Sequence, residues 1–210
     1  MTRGDFPLWL FVTGTDTGVG KTVVCAVLMA GLKGVYWKPV QSGAVEGTDT
    51  AFVRRVTGLD DSHFRPEACV FDAPVSPHLA AQMEGRKIDV DGITVPPADP
   101  DRPLIMEGAG GVMVPLDDTR LMLDLMVRIG APVLVVAQSR LGMINHTLLT
   151  LNRLKQSGIP IFGVVINGPP NPENRHAVEH YGKVAVIAQI EPMPEITRAS
   201  LKACFERFSW

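Results

Sequence analysis

The chain has 210 residues, of which 46% are apolar and 20% are charged, and its formal net charge at pH 7 is −2. This length is sufficient for a buried core, and we expect residues 1–210 to form a single domain. A net charge so close to zero disfavours nonspecific nucleic-acid binding and an acidic disordered chain, so small molecules or other proteins are the expected partners.

Strand-like and helix-like segments alternate along nearly the whole chain. Six short apolar runs predict strands buried on both faces, at residues 8–13, 35–38, 103–107, 132–137, 160–166 and 183–190. Helix-like segments occupy residues 20–33, 48–57, 77–84, 119–129, 144–157, 174–181 and 195–207. The proline-rich stretch 94–103 is expected to be a loop. The alternation predicts an α/β fold with a doubly wound, mostly parallel sheet, helices on both faces, and ligands at the carboxyl ends of the strands.

The cysteines and the hydropathy pattern bear on the compartment. Cys25, Cys69 and Cys204 are odd in number and far apart, which disfavours a disulfide framework or a zinc site and favours a reducing cytoplasm. No apolar run reaches the roughly 18 to 20 residues that a transmembrane helix needs. Pro7 and the glycine-rich run that follows it disfavour a secretory signal. We therefore expect a soluble, cytoplasmic protein without a membrane partner.

A glycine-rich run, TGTDTGVGKT at residues 13–22, follows the first predicted strand and opens a helix. Its end matches the phosphate-loop pattern G-x-x-x-x-G-K-[ST], but the first glycine of that pattern falls on Thr15, one residue after Gly14. In such loops backbone N–H groups and a lysine hold the phosphates, and the hydroxyl binds Mg²⁺. The run predicts a P-loop NTPase type of fold rather than an ordinary strand-to-helix turn. The residues expected to hold the nucleotide are Thr17, Gly18, Val19, Gly20, Lys21, Thr22 and Val23.

Asp16 distinguishes this loop from that of partitioning and division-site ATPases. Those proteins carry a second lysine five residues before the loop lysine, and here that position is Asp16. An aspartate cannot supply a cation to a second nucleotide across a dimer. The loop indicates a relative of those ATPases, and a partitioning-type ATPase switch is the alternative function.

Two acidic residues are candidates for a metal site together with Thr22. Mg²⁺ prefers octahedral oxygen ligands, typically one or two carboxylates with phosphates and water. Glu107 ends the apolar run LIM and precedes GAGG, so a buried strand would deliver its carboxylate to the sheet edge. Asp49 begins a predicted helix. The alternatives are a surface glutamate before a turn at Glu107, and a helix cap formed by Asp49 or Thr48.

The stretch WKPVQSG at residues 37–43 ends the second predicted strand. Pro39 stops the strand after Lys38, and Gly43 permits a tight turn that directs Ser42 towards the same crevice. Lys38 is thus a candidate site residue, and a solvated lysine at a strand end is the alternative.

These motifs together resemble those of the dethiobiotin synthetase family. They are GTDTGVGKT, KPVQSG, SPH at 76–78, EGAGG at 107–111, LGMINH at 141–146 and Asn167, in the order of the family. The resemblance implies a homodimeric ligase of biotin biosynthesis that requires ATP and Mg²⁺. Such an enzyme closes a cyclic urea from 7,8-diaminononanoate and CO₂, through a carbamate and a carbamic–phosphoric anhydride, and releases ADP and phosphate.

The resemblance also implies roles for individual residues. Lys38 and Lys21 would be the catalytic residues that flank the carbamate and the γ-phosphoryl group, and Ser42 would bind the carbamate. The metal would be held by Thr22, Asp49 and Glu107. The nucleotide would further contact Asp49, Glu107, Gly108, Ala109, Gly110, Asn167 and Gly168, with adenine read by Asn167. The loop residues Gly142, Met143, Ile144 and Asn145 would reach across the dimer interface to hold the carboxylate of the diamine.

Simpler interpretations exist for several of these residues. Asn167 suits a turn before Gly168, Asn145 and His146 suit helix caps, and His78 suits a helix start after a proline. Gly18 stands where the family often has an acidic residue, and QIEPMPE at 189–195 replaces a stretch that packs on the base in the family. A second alternative function, a cobyrinate or cobyrate amidotransferase, requires a glutaminase domain, for which a one-domain chain of 210 residues has no room.

Overall fold

The computed structural model describes residues 6–97 and 99–210. Within these ranges the strands are β1 (Trp9–Gly14), β2 (Val35–Trp37), β3 (Val40–Gln41), β4 (Phe64–Arg65), β5 (Cys69–Val70), β6 (Leu104–Gly111), β7 (Val133–Gln138), β8 (Ile161–Asn167) and β9 (Val186–Ile190). The α-helices are α1 (Lys21–Leu32), α2 (Asp49–Thr57), α3 (Pro77–Met83), α4 (Met122–Ile129), α5 (Met143–Gln156), α6 (Pro172–Gly182) and α7 (Arg198–Phe205).

Seven of the described strands form one sheet in the order β4-β2-β6-β1-β7-β8-β9, and every strand pair in it is parallel. Strands β3 and β5 form a separate two-stranded parallel sheet. Because β1 lies between β6 and β7, the loops that follow β1 and β6 meet near the centre of one sheet edge. The predicted α/β fold with a doubly wound parallel sheet is confirmed.

The predicted elements are present, but some bounds differ. The helix predicted over 119–129 begins at Met122, because Asp117 accepts hydrogen bonds from the backbone of Thr119 and Arg120 in the turn before it. The helix predicted over 174–181 begins at Pro172, where Asn171 is the N-cap. The last strand begins at 186 rather than 183. The described part of the 94–103 loop, which omits residue 98, forms neither helix nor β-strand beyond an isolated bridge between Asp99 and Arg102, and β6 begins just after it at Leu104.

Strands β3, β4 and β5 were not predicted from the sequence. Each spans two residues, which is too short to produce an apolar run or an alternating pattern. They lie in the connections on either side of α2. β4 extends the main sheet beside β2, whereas β3 and β5 pair as a separate two-stranded sheet.

Apolar clusters cover both faces of the sheet, as the continuous apolar strands predict. Alternate residues of β1 divide between them: Leu10 and Val12 pack in the cluster with α1 and α7, and Phe11 packs in the cluster with α4 and α5. Helix α7 lies close to α1, since a Cβ added at Gly31 would stand 2.2 Å from the Phe205 ring. Helix α1 is therefore held firmly behind the glycine-rich loop. None of the described helices is both long and apolar enough to cross a membrane.

Candidate active site

A cavity of about 970 Å³ opens where the loops after β1, β2 and β6 meet. Most of the residues predicted for the site line it: Thr17, Gly18, Gly20, Lys21, Thr22, Val23, Lys38, Ser42, Asp49, Glu107, Ala109 and Gly110. The lining also includes Gln41, Phe52, Arg55 and the segment 74–77, which contains Ser76 and Pro77 of the SPH motif but not His78. Residues separated by more than 80 positions along the chain thus share one cavity, as expected at the carboxyl edge of a parallel sheet.

The glycine-rich loop is built to receive an anion. Helix α1 begins at Lys21, and its N-cap is Gly20, which has no side chain to satisfy the first backbone N–H groups. Inside the loop, the Nζ atom of Lys21 donates a hydrogen bond to the carbonyl oxygen of Asp16, at 3.1 Å. Gly18 has φ of +74°, and a Cβ added there would meet no other described atom within 4 Å. A glycine at this position permits a left-handed backbone without strain.

Lys21 is buried, and burial lowers the pKa of its ammonium group. The negative charge of Glu107 opposes this effect, whereas the nearby cation of Lys38 adds to it. An anion beside Lys21 would compensate the cost of burying this cation.

Glu107 lies in the interior of the molecule, with a relative exposure of 0%. Its Oε1 atom accepts hydrogen bonds from the Thr22 hydroxyl at 2.9 Å and from the Lys38 ammonium at 3.1 Å. Its Oε2 atom accepts one from the Tyr36 hydroxyl at 2.8 Å. The interpretation of Glu107 as a surface residue before a turn is therefore wrong, because β6 continues past it to Gly111.

Lys38 is also buried, at 3% exposure, so its interpretation as a solvated strand-end lysine is wrong. Its ammonium forms ion pairs with Oδ2 of Asp49 and with Oε1 of Glu107. Burial by itself would lower the pKa of Lys38, but the charges and hydrogen bonds of Glu107 and Asp49 raise it above the ordinary value. A protonated lysine therefore lies between the two acidic groups.

Asp49 does not cap helix α2. The cap is Thr48, whose Oγ1 atom accepts a hydrogen bond from the backbone N–H of Ala51 at 3.1 Å. The backbone N–H of Asp49 donates to Oε1 of Gln41 at 3.0 Å, which ties the start of α2 to β3. The carboxylate of Asp49 is thereby free to face Lys38 and the cavity.

The donor set in the cavity fits a hard divalent cation. Thr22, Asp49 and Glu107 offer a hydroxyl and two carboxylates in one lining, and Mg²⁺ takes such oxygen ligands together with phosphate and water. In the described part of the chain, no three His, Cys, Asp or Glu side chains form a metal cluster. The arrangement thus suits a cation that shares its ligands with a bound phosphate rather than a cage made of protein groups alone.

Several predicted residues lie outside the cavity lining. Asn167 stands behind the loop: its Nδ2 atom donates to the carbonyl oxygen of Val19 at 2.9 Å. A Cβ added at Gly20 would stand 2.0 Å from that Nδ2 atom. A Cβ added at Gly108 would stand 2.9 Å from the Phe11 ring, so this glycine packs closely against β1. Of the described residues predicted for the site, those outside the lining are Val19, Gly108, Gly142, Met143, Ile144, Asn145, Asn167 and Gly168.

The segment LGMINH forms the start of helix α5, whose N-cap is Gly142. Because the N-cap is Gly142, and Asn145 and His146 lie inside the helix, the interpretation of either residue as the cap is wrong. Leu141, just before this helix, is fully exposed. In contrast, His78 does occupy the first turn of a helix, α3, which begins at Pro77.

Sequence reasoning missed two contacts at the site. Tyr36 reads as an ordinary core residue because it lies in an apolar strand, yet its hydroxyl binds Glu107. Burial, and then the negative charge of Glu107, raise the pKa of Tyr36 well above its ordinary value, so the phenol stays protonated. Asp16 accepts hydrogen bonds from the backbone N–H of Thr17 at 2.7 Å and from Arg140 at 3.0 Å, which joins the loop to the segment before α5.

Comparison with known proteins supplies the family. The family model described as an AAA domain matches residues 9–200. The ATP-dependent dethiobiotin synthetase of Paramagnetospirillum magneticum is 51% identical over 192 residues, which are 91% of this chain and 92% of that protein. The ATP-dependent dethiobiotin synthetase of Rhodopseudomonas palustris is 42% identical over 93% of this chain and 91% of its own length.

Among solved structures, the MinC:MinD cell division protein complex of Aquifex aeolicus is similar, with a TM-score of 0.54 over 95% of this chain and 93% of that chain. The identity is 12%, so this likeness shows the fold alone. Because an identity of 51% to a named synthetase extends over 91% of the chain, the chain belongs to the family of ATP-dependent dethiobiotin synthetases.

Proposed function

We propose that the protein is a ligase that converts 7,8-diaminononanoate, CO₂ and ATP to dethiobiotin, ADP and phosphate, with Mg²⁺ as the metal. The reaction passes through a carbamate on one amine and a carbamic–phosphoric anhydride, which the second amine attacks. The observation that carries the proposal is the position of the Lys38 ammonium, which bonds Asp49 and Glu107 in a cavity that is also lined by the phosphate loop. The names of the relatives support the same reaction.

The phosphate loop binds the nucleotide. Backbone N–H groups from Thr17 to Val23 surround the phosphates, and Lys21 places its charge beside the β and γ positions. Asn167 and Gly168 lie behind the loop, where Asn167 is oriented by its bond to Val19 and would face the adenine. Ala109 and Gly110 line the cavity opposite the loop and offer backbone N–H groups to the nucleotide.

Thr22, Asp49 and Glu107 would hold Mg²⁺ together with phosphate oxygens. When bound, this metal neutralises charge on the phosphate oxygens during transfer. Around it, the protein supplies fixed orientation: Tyr36 and Thr22 hold Glu107, and Gln41 holds the start of α2 beneath Asp49.

Lys38 stabilises the carbamate and the transferring phosphoryl group. Phosphoryl transfer depends mainly on positioning and on stabilisation of charge, so a buried, protonated lysine aimed into the cavity is suited to it. Ser42 follows β3 and lines the same cavity, where its hydroxyl can bond the carbamate. The second amine then attacks the activated carbon, and phosphate leaves from the loop side.

The enzyme works as a homodimer in the cytoplasm, with the site near the subunit interface. Residues Gly142–Asn145 lie outside the cavity of their own subunit, beside the exposed Leu141. The uncapped N-terminus of α5 is suited to a carboxylate, so this segment would hold the tail of the diamine in the partner's site. The three free thiols, Cys25, Cys69 and Cys204, suit a reducing compartment.

An assay of diamine dependence tests the reaction. The purified protein is incubated with ATP, Mg²⁺ and bicarbonate, with and without 7,8-diaminononanoate, while phosphate is measured continuously and dethiobiotin by mass spectrometry. We expect equal amounts of the two products, and only when the diamine is present. Phosphate release at the same rate with and without the diamine would overturn the proposal and favour the partitioning-type ATPase switch. Lys202→Ala, at an exposed position of α7, is the matched control for substitutions of Lys38.

A further inference from the structure

The Glu107 carboxylate is held from two sides. Its Oε1 atom faces the cavity side, where the Thr22 hydroxyl and the Lys38 ammonium donate to it at 2.9 and 3.1 Å. Its Oε2 atom points away from these groups and accepts the Tyr36 hydroxyl at 2.8 Å. Since Tyr36 and Glu107 are both 0% exposed, water does not reach this second oxygen from the solvent.

The strand register explains why these two side chains meet. Tyr36 of β2 lies opposite Ile105 of β6, and Glu107 is two residues further along β6. Because side chains alternate along a strand, Tyr36, Ile105 and Glu107 project from the same face of the sheet. That face is covered by α1, which carries Thr22 in its first turn. The ring of Tyr36 is fixed in turn by an edge contact with Phe64, at 6.2 Å between centroids.

A buried carboxylate oxygen needs a donor. Rotation of the Glu107 carboxyl group would exchange its two oxygens between the cavity side and the core side. The Tyr36 hydroxyl donates a hydrogen bond to the oxygen on the core side, Oε2, and so fixes the plane of the carboxyl group. The other oxygen, Oε1, is thereby directed towards the cavity. Groups that orient a metal ligand in this way commonly influence metal affinity by 10-fold to 100-fold.

We propose that Tyr36 is a positioning residue: its hydroxyl holds Oε2 of Glu107 so that Oε1 is directed at Thr22 and the cavity, where Glu107 would help to hold a divalent cation. The proposal rests on the metal-holding part of the proposed function, namely that Glu107 is a ligand. It assigns a role to a tyrosine that the strand pattern alone marks as core.

The test measures metal binding rather than turnover. Tyr36→Phe removes the hydroxyl and keeps the ring. Free Mn²⁺ is measured by electron paramagnetic resonance during titration of the protein saturated with ADP. We expect the dissociation constant for Mn²⁺ to rise by about 10-fold in Tyr36→Phe, whereas the control Phe64→Leu, which removes the ring contact but keeps the hydroxyl, changes it by less than about 2-fold.

A second background guards against a variant that folds poorly. In Glu107→Gln, which lacks the buried charge, the further change Tyr36→Phe should alter Mn²⁺ affinity by less than about 2-fold, because Tyr36 acts through Glu107. Unchanged affinity in Tyr36→Phe alone, equal losses in Tyr36→Phe and Phe64→Leu, or a further tenfold loss in the Glu107→Gln background would each overturn the proposal.

The result can be separated from the test of the overall reaction. If the unmodified protein binds Mn²⁺ with ADP but forms no dethiobiotin, the proposed reaction fails and the role of Tyr36 still stands. If Glu107→Gln binds Mn²⁺ as tightly as the unmodified protein, Glu107 is not a ligand, and the role of Tyr36 is overturned with it.

Discussion

Replacement of Lys38 by methionine tests the buried charge cluster most directly. Methionine approximates the length of the lysine stem but removes the ammonium that bonds Asp49 and Glu107. Removal of one partner from a buried ion pair typically costs about 3–5 kcal/mol, because it leaves a buried charge uncompensated. Glu107 keeps its bonds from Thr22 and Tyr36, and the Asp49 side chain is 31% exposed, so we expect a loss near the lower end, about 3 kcal/mol.

The double variant Lys38→Met/Glu107→Gln shows whether this loss arises from the unpaired carboxylate. Glutamine at 107 carries no charge, so the double variant should be about 2 kcal/mol more stable than the sum of the two single losses predicts. The measurement is urea denaturation at pH 7, followed by far-ultraviolet circular dichroism, in the absence of nucleotide and metal. Lys202→Ala serves as the control and should change the free energy of unfolding by less than about 0.5 kcal/mol.

The pH dependence follows from the sign of the pKa shift. Because the folded protein raises the pKa of Lys38 above 10.5, the stabilisation from its charge is fully present below about pH 10.5 and is lost only as the pH rises through the higher folded value. The cost of Lys38→Met should therefore be the same at pH 7 and pH 9. A loss below about 1 kcal/mol, or additive losses in the double variant, would refute the coupling between Lys38 and Glu107. Turnover of Lys38→Met should also fall by on the order of 10².

Two further pairs of substitutions, each a site variant with its control, separate the residues of the site from those of the scaffold. Asp49→Asn should raise the Mg²⁺ concentration for half-maximal turnover by about 10-fold, with little change in the temperature of thermal unfolding. Thr48→Ala should lower the free energy of unfolding by about 1 kcal/mol and leave the Mg²⁺ dependence unchanged. An Asp49→Asn variant that is unfolded would contradict this division of roles. Gly20→Ala should abolish binding of a fluorescent ATP analogue, because the new Cβ would stand 2.0 Å from Nδ2 of Asn167, whereas Gly58→Ala, at φ of +61° with open space around it, should retain normal binding. Equal nucleotide affinity in the two glycine variants would show that the loop tolerates the added methyl group.

The predicted strands and helices agree best where the pattern is long and local. A continuous apolar run such as that of β7 predicts a strand that is covered on both faces of the sheet, and β7 is buried in this way in the structure. Helix starts were less accurate, because capping by Asn171 and the turn around Asp117 depend on a few side-chain hydrogen bonds that leave no periodic pattern in the sequence. The two-residue strands β3 and β5 pair only because the chain around α2 folds back, which no local pattern indicates.

The phosphate loop could be read from contiguous residues because its function depends on the local backbone: glycines that accept unusual torsion angles, followed by the open N–H groups of a helix start. That Lys38 and Glu107 lie near one edge of the sheet could also be predicted, since parallel strands bring their carboxyl ends together, although β6 continues past Glu107 to Gly111. The burial, charge and hydrogen-bond partners of these two side chains could not be predicted from the sequence. That Lys38 is a buried ammonium between two carboxylates, and that Tyr36 holds the far oxygen of Glu107, follows from the register between β2 and β6 and from the burial of that sheet face beneath α1. Those features arise from contacts between residues 36, 38, 49 and 107, and only the tertiary structure brings them within hydrogen-bonding distance.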